Sequence, residues 1–152
     1  MTKSNSIPKR SEVEKQFTWA IEDLFATDEL WEKEYNEIKK MLPEAESYKG
    51  RLTESAKTLL EFLRLNDRLG IMMERVYVYA NQKYHEDTAN SVYQELADKA
   101  TVLLVQMDSA LSFATPEILT ISEETLEEFM KQEEGLRLYD FHLKNILRCK
   151  PH

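Results

Sequence analysis

The 152-residue chain carries a formal charge of −8, with 42% hydrophobic and 32% charged residues. That is enough chain to bury about two-thirds of its extended surface without a disulfide or a metal. The 28 acids against 20 bases repel phosphate backbones and anionic lipid, which argues against nucleic-acid and membrane-surface binding. Only 3 Gly and 4 Pro occur; a sandwich or barrel needs a turn every ~8–12 residues, so the composition points to long helices.

The one cysteine, Cys149, has no internal partner, and secreted domains usually carry an even set. Residues 1–10 contain no apolar signal core. No run of about 18 apolar residues is present to span a bilayer. The cytoplasm is the expected compartment.

Residues 1–16, polar and containing Pro8, read as a flexible leader to a single domain over 17–152. Phe17, Trp19 and Ile21 alternate, which suggests a brief extended segment pinned over a helix surface by its aromatic residues. The first helix is expected over residues 28–42. Thr27 or Asp28 caps it, Trp31, Tyr35, Ile38 and Leu42 share one face, and Pro43 ends it.

A second helix starts near Ser55 and runs to about Lys83. Leu59, Phe62, Asn66, Leu69, Met73, Val76 and Ala80 follow a 3-4 heptad pattern with one polar member. Gly70 lies mid-helix, where a kink or break is expected. Asn90 caps a third helix over residues 91–114. Its seam (Tyr93, Leu96, Ala100, Leu103, Met107, Ala110, Ala114) and a second stripe (Ala97, Leu104, Leu111) mark it as the most central helix. Thr115-Pro116 breaks it. A short helix then opens on a Thr120–Glu123 capping box, and Gly135 separates it from a last helix carrying Leu136, Tyr139, Leu143 and Ile146, which Pro151 stops. The fold class is all-α, an antiparallel bundle of about five helices with an extended N-terminal leader.

The search for chemistry finds no site. His85, His142 and His152 lack the close spacing of zinc ligands. Cys149 lies between Arg148 and Lys150, which can lower a thiol pKa, yet it has no catalytic histidine partner beyond the nearby His152. Glu123, Glu124, Glu127 and Glu128, with Glu133 and Glu134 after them, lack the alternating Gly-containing loop of a calcium site and read as a solvated helix face. Tyr77, Tyr79, Tyr84 and Tyr93 suit core and rim packing, or the lining of a peptide groove. No phosphate loop, nucleophile elbow or H-E-x-x-H occurs. No catalytic, cofactor-binding or metal-binding residue is assigned.

Four segments, read in order, resemble the bacterial oligoendopeptidase F family. Thr18-Trp19-Ala20-Ile21-Glu22-Asp23-Leu24-Phe25 is similar to its "TWDLTDLF" opening. Tyr77-Val78-Tyr79-Ala80 with Lys83-Tyr84-His85-Glu86-Asp87-Thr88 is similar to "YVYA…KYDEDT". Ala110-Leu111-Ser112-Phe113 with Pro116-Glu117-Ile118-Leu119 is similar to "ALSF…PEIL", and Leu147-Arg148-Cys149-Lys150-Pro151-His152 to "LRxKPH". The resemblance spans residues 11–152, and Ala20 and His85 depart from the pattern where it has Asp.

The resemblance implies a zinc metalloendopeptidase related to the thimet oligopeptidases. Its zinc-holding H-E-x-x-H helix and third ligand lie downstream of the "KPH" segment, so no ligand carries over and no cofactor is expected on this chain. It further implies an N-terminal helical region that walls the substrate channel, is inactive alone, and has the catalytic domain and oligopeptide substrates as partners. The chain then reads as a truncated piece of a longer protein. An exposed apolar or aromatic patch is expected near Tyr77–Tyr84 or on the C-terminal helix, with homo-oligomers forming through it. The alternative is a free-standing helical interaction module, since heptad seams also bind partner helices.

Overall fold

The structure is a computed structural model that describes Pro8 and residues 12–149. Most of the expected leader, and the expectations for Lys150, Pro151 and His152, lie outside the described residues. Among the described residues six α-helices follow in order: α1 (Asp28–Glu46), α2 (Ala56–Glu86), α3 (Ser91–Leu111), α4 (Ala114–Ile118), α5 (Glu123–Gln132) and α6 (Asp140–Arg148). No strand occurs among the described residues.

The helix starts follow side-chain chemistry. Thr27, Ser55 and Asn90 accept hydrogen bonds from the backbone N–H groups of Leu30, Thr58 and Val92, opening α1, α2 and α3. Each satisfies one donor that the first turn leaves orphaned. The 87–90 connection is too short for anything but an antiparallel return of α3 along α2. Helix α1 is antiparallel to α2 as well: Asp28 meets Tyr79, Trp31 meets Val76 and Glu34 meets Arg75.

Two apolar clusters divide the interior, and α2 supplies both. Its C-terminal half, from Leu69 to Ala80, packs with Ile21, Phe25, Trp31, Ile38 and the α3 seam from Leu96 to Met107. Its N-terminal half, from Ala56 to Leu63, packs with Leu52, Phe113, Ile118, Leu126, Leu136 and Leu143. The central helix is therefore α2 and not α3. The fully buried residues of α3 join one cluster, with Leu111 reaching the other, while α2 supplies buried residues to both; in the second stripe of α3 Ala97 is buried and Leu104 and Leu111 are partly buried.

Several boundaries differ from the sequence expectation, each for a local reason. Helix α1 runs through Pro43 to Glu46, and its apolar stripe continues past the proline: Ala45 is fully buried. Helix α2 passes Gly70 without interruption. Helix α3 stops at Leu111, three residues before the expected end. Pro116 sits in the first turn of α4, where a missing N–H costs nothing. The cap of α5 is Ser122, which accepts from Thr125 N–H at 3.1 Å; the Thr120 hydroxyl instead donates to Glu117 O. Gly135 lies inside a 3-10 stretch, Glu134–Tyr139, that leads into α6. The aromatic N-terminal segment forms two 3-10 turns, Lys15–Phe17 and Ile21–Asp23, and not an extended run. Phe17 and Trp19 are exposed, so Ile21 and Phe25 hold the segment down.

Carboxylates bracket segments far apart in sequence. Gly50, at φ +80, turns the α1–α2 connection in a conformation that suits a residue without Cβ. Its N–H and that of Leu52 both donate to the Glu117 carboxylate, the latter at 3.3 Å. The Tyr79 hydroxyl donates to Asp28 at 2.7 Å, and the Tyr139 hydroxyl to Asp67 at 2.6 Å.

The other two glycines should respond oppositely to the same substitution. A Cβ on Gly70 meets nothing within 4 Å, so Gly70→Ala should raise stability by about 0.5–1 kcal/mol through helix propensity. A Cβ on Gly135 falls 2.9 Å from Leu60 Cδ2 and 3.0 Å from Arg64 Nη2, so Gly135→Ala should lower stability by about 1–3 kcal/mol through overpacking. Thermal melts of both variants check this; shifts of the same sign would contradict the packing described.

The tyrosine brackets set an alkaline limit. Burial, then the hydrogen bond to Asp67 and the charge of that carboxylate, push Tyr139 from 10.0 up to about 12. Burial and Asp28 raise Tyr79 well above the phenol range. A phenol whose pKa is raised by folding contributes stability that is fully present below its unfolded value and lost as pH rises through the folded one. Stability should therefore fall between pH 10.0 and about 12, and Tyr139→Phe should soften that fall. Phenolate absorbance against pH, with native and unfolded chains compared, is the measurement.

Candidate functional site

The residues singled out for chemistry lie apart. His85 and His142 are exposed on α2 and α6, and Cys149 is an exposed free thiol whose S–H donates to Asn145 O. Zinc requires three or four converging donors. Among the described residues no group of three or more His, Cys, Asp or Glu is arranged to hold a metal ion, so the donors present do not fit one.

The acidic run is an exposed face of α5 turned partly towards α6. Glu127 pairs with Lys144 at 3.2 Å, and Lys144 also pairs with Asp140 at 2.8 Å. Its own backbone N–H and the Ser122 hydroxyl hold the Glu124 carboxyl below the usual range. A depression of about 410 Å³ between the two helices is lined by Glu123, Glu124, Glu127, Lys144 and Arg148. Its mixed charges largely answer one another.

The tyrosine-rich stretch closes the end of the α1–α2–α3 layer. Tyr79 is core, Tyr84 and Tyr93 are half-buried, and Tyr77 is more exposed. The Lys83 ammonium sits 5.4 Å from the Tyr79 ring, 5.0 Å from the Tyr93 ring and 3.6 Å from Asp28. Cation, ring faces and carboxylate thus share one site, through which Tyr79 and Tyr93 brace the helices. The most exposed apolar pair lies at the C-terminal end: Leu138 is 86% and Phe141 76% exposed, three residues apart across the junction into α6.

A groove opens where the N-terminal 3-10 turn crosses α1 and α2. It has a volume of about 510 Å³, and Leu24, Phe25, Leu30 and Met72 give it an apolar lining. Arg75 builds it. One guanidinium nitrogen donates to both Glu34 oxygens at 3.1 and 3.0 Å, another donates to Leu24 O at 2.9 Å, and the group lies 4.8 Å from the Phe25 ring centroid. A planar cation with a fixed fork of donors is suited to this bridging. Neither Arg75 nor Glu34 was identifiable from sequence, because they are 41 positions apart and each looks like an ordinary surface charge. Leu138 and Phe141 were hidden by the apolar spacing they share with the core residues around them.

Because Arg75 ties three elements together, Arg75→Ala should lower stability by about 1–2 kcal/mol. Arg75→Lys should recover less than half of that loss, since an ammonium lacks the fork. Amide exchange at residues 21–26 should accelerate in Arg75→Ala more than exchange in α3; uniform acceleration would contradict the clamp.

Comparison with known proteins follows the same helical frame. The family model described as Oligopeptidase F matches residues 117–152. Oligopeptidase PepF of Bacillus subtilis (strain 168) is 41% identical over 150 residues, which is 99% of this chain and 22% of that protein. Group B oligopeptidase PepB of Streptococcus agalactiae serotype III (strain NEM316) is 37% identical over 143 residues, 94% of this chain and 24% of that protein. Thus the chain spans about a quarter of the length of the relatives it matches. The crystal structure of oligoendopeptidase-F from Enterococcus faecium superposes with a TM-score of 0.73 at 30% identity, covering 80% of this chain and 24% of that one. A putative peptidase from Chlamydophila abortus shares the fold at a TM-score of 0.81 and 21% identity, over 94% of this chain and 24% of that one. With the sequence match running almost end to end and the same helical arrangement in these structures, the chain belongs to the oligoendopeptidase F family and corresponds to its N-terminal region.

Proposed function

We propose that the chain supplies the N-terminal helical part of an oligoendopeptidase F-type zinc peptidase, forming a wall of the channel that admits oligopeptides. The observation that carries this reading is the 41% identity spread over 150 residues of a protein named as an oligopeptidase. In this reading residues 1–16 are a leader and 17–152 the domain. In this reading zinc and the water it activates belong to the catalytic part of the peptidase; among the described residues of this chain no metal-holding group of donors is found.

The partners are that catalytic part and the oligopeptide, and the compartment is the cytoplasm. Exposed Leu138 and Phe141 suit a face that the catalytic part covers, because large apolar side chains left in water favour association. Among the described residues no single helix is long and apolar enough to cross a membrane.

Two measurements test the proposal. The purified chain, given zinc and a quenched fluorescent oligopeptide, should show no turnover; chelator-sensitive cleavage would overturn the inert-wall reading. Placed in Oligopeptidase PepF of Bacillus subtilis in exchange for the matching region, the chain should yield an active peptidase. A folded but inactive chimera would favour the interaction-module alternative.

A further inference from the structure

We propose that α2 bends at its waist, residues 64–70, and that the α4–α6 end of the domain swings there relative to the α1–α3 layer. The proposal rests on this chain's own residues and stands whether or not the peptidase reading does.

Among the described residues the chain passes between the two apolar clusters three times, and the passages lie at one level of the fold. Helix α1 is set against α2 by the Trp31 Nε1–H bond to Val76 O at 2.8 Å, and α3 by the Lys83 ammonium 5.0 Å from the Tyr93 ring. Antiparallel helices rise equally, at ~1.5 Å per residue, so Glu46 and Leu111, the last residues of α1 and α3, come within about a turn of the waist. Beyond them the chain crosses in turns, residues 47–50 and 112–113. Short non-helical segments of this kind absorb the dihedral change of a hinge. Helix α2 is the one passage of the three made by continuous helix, so its stiffness sets the resistance to bending.

That stiffness is lowest at the waist. Leu63 and Leu69 are buried, and no residue between them is. Each cluster lies to one side, so a bend here opens a helical turn and leaves both clusters packed. Relative to Ala, Gly70 shifts the balance towards the opened turn about fivefold. A Cβ at Gly70 would meet nothing within 4 Å, so close packing does not account for the glycine. The ties that oppose bending are few. Leu65 and Leu111 are half-buried, Leu111 against both clusters. The Tyr139 hydroxyl donates to Asp67 at 2.6 Å across the exposed side of the waist, a strap that water can replace at modest cost.

The test uses the whole chain with Cys149→Ser, which removes its one native cysteine. Nitroxide labels on Asp98→Cys and Glu128→Cys, exposed on α3 and α5, span the waist; labels on Asn36→Cys and Asp98→Cys stay within the α1–α3 layer. Pulsed electron spin resonance should give a broader distance distribution for the first pair than for the second. Gly70→Ala should narrow the first distribution and Tyr139→Phe, which removes the strap, should broaden it, while neither moves the second. Amides of residues 68–74 should exchange at rates that stay flat at low urea, the mark of local opening, and about fivefold more slowly in Gly70→Ala. Equal widths for the two pairs, widths that ignore both substitutions, or waist amides sharing the urea dependence of α3 would each overturn the proposal.

Discussion

Helix α2 has to satisfy two hydrophobic clusters at once, and most of the architecture follows from its doing so without a break. Residues 56–63 serve one cluster and 69–80 the other. Between them lie Arg64, Asn66, Asp67 and Arg68, none of them buried. Through this waist no side chain is fully buried; half-buried Leu65 and the Tyr139–Asp67 hydrogen bond are its tertiary ties, and the hydrogen-bond ladder of the helix carries the register across. At 31 residues the helix is about 46 Å long. Gly70 weakens it just past the waist by about 1 kcal/mol relative to Ala. Burial of Leu69, Met73, Val76 and Ala80 beyond that point is worth several times as much, so the helix continues where propensity alone would allow a break.

The remaining elements lean on this spine through charged groups at its rim. No polar or charged residue is buried among those described. The interior is therefore lined by apolar side chains, and the polar ties lie at its boundary. There the carboxylates of Asp28, Glu34, Asp67 and Glu117 each reach a group between 41 and 72 positions away. Each accepts from a hydroxyl, a guanidinium or a pair of backbone N–H groups, geometries in which a carboxylate makes strong charge-assisted bonds. Part of the acidic excess is thus structural. The same arrangement explains why the raised phenol groups, Tyr79 and Tyr139, mark ties between helices. Shifted ionisation often signals catalysis, but structural networks produce it as well.

What could be read from sequence was whatever depends on periodicity and local capping. The seams of α1, α2 and α3, and the caps at Thr27 and Asn90, rest on interactions within one helix or along one of its faces. The misplaced boundaries have two causes. Pro43, Gly70 and Thr120 carry local signals that stop, break or start a helix, and at Pro43 and Gly70 distant packing overrode them. Thr120 lost the cap to Ser122, an equally good cap two residues on. The centrality of α2 was not legible because it depends on which helices share a core, and apolar spacing does not report that. The groove was invisible for the same reason, as Arg75 meets Glu34 and Leu24 only once the chain has folded back.

This dependence on distant packing bears on where the folding unit ends. Residues 117–152, the stretch that carries the family match, begin within α4 and contain α5, α6 and the 3-10 stretch between them. The apolar face of that stretch, Ile118, Leu126, Phe129, Leu136 and Leu143, is covered by Leu59, Leu60, Phe62 and Leu63 of α2. Gly135 presses against Leu60 and Arg64, and Glu117 holds the backbone of the α1–α2 connection. Cut from α2, the segment would expose most of its core and lose the partner of its first carboxylate. Helix α2 in turn cannot be separated from α1 and α3, which cover its other half. The C-terminal stretch therefore leans, through α2, on α1 and α3 as well as on α2 itself.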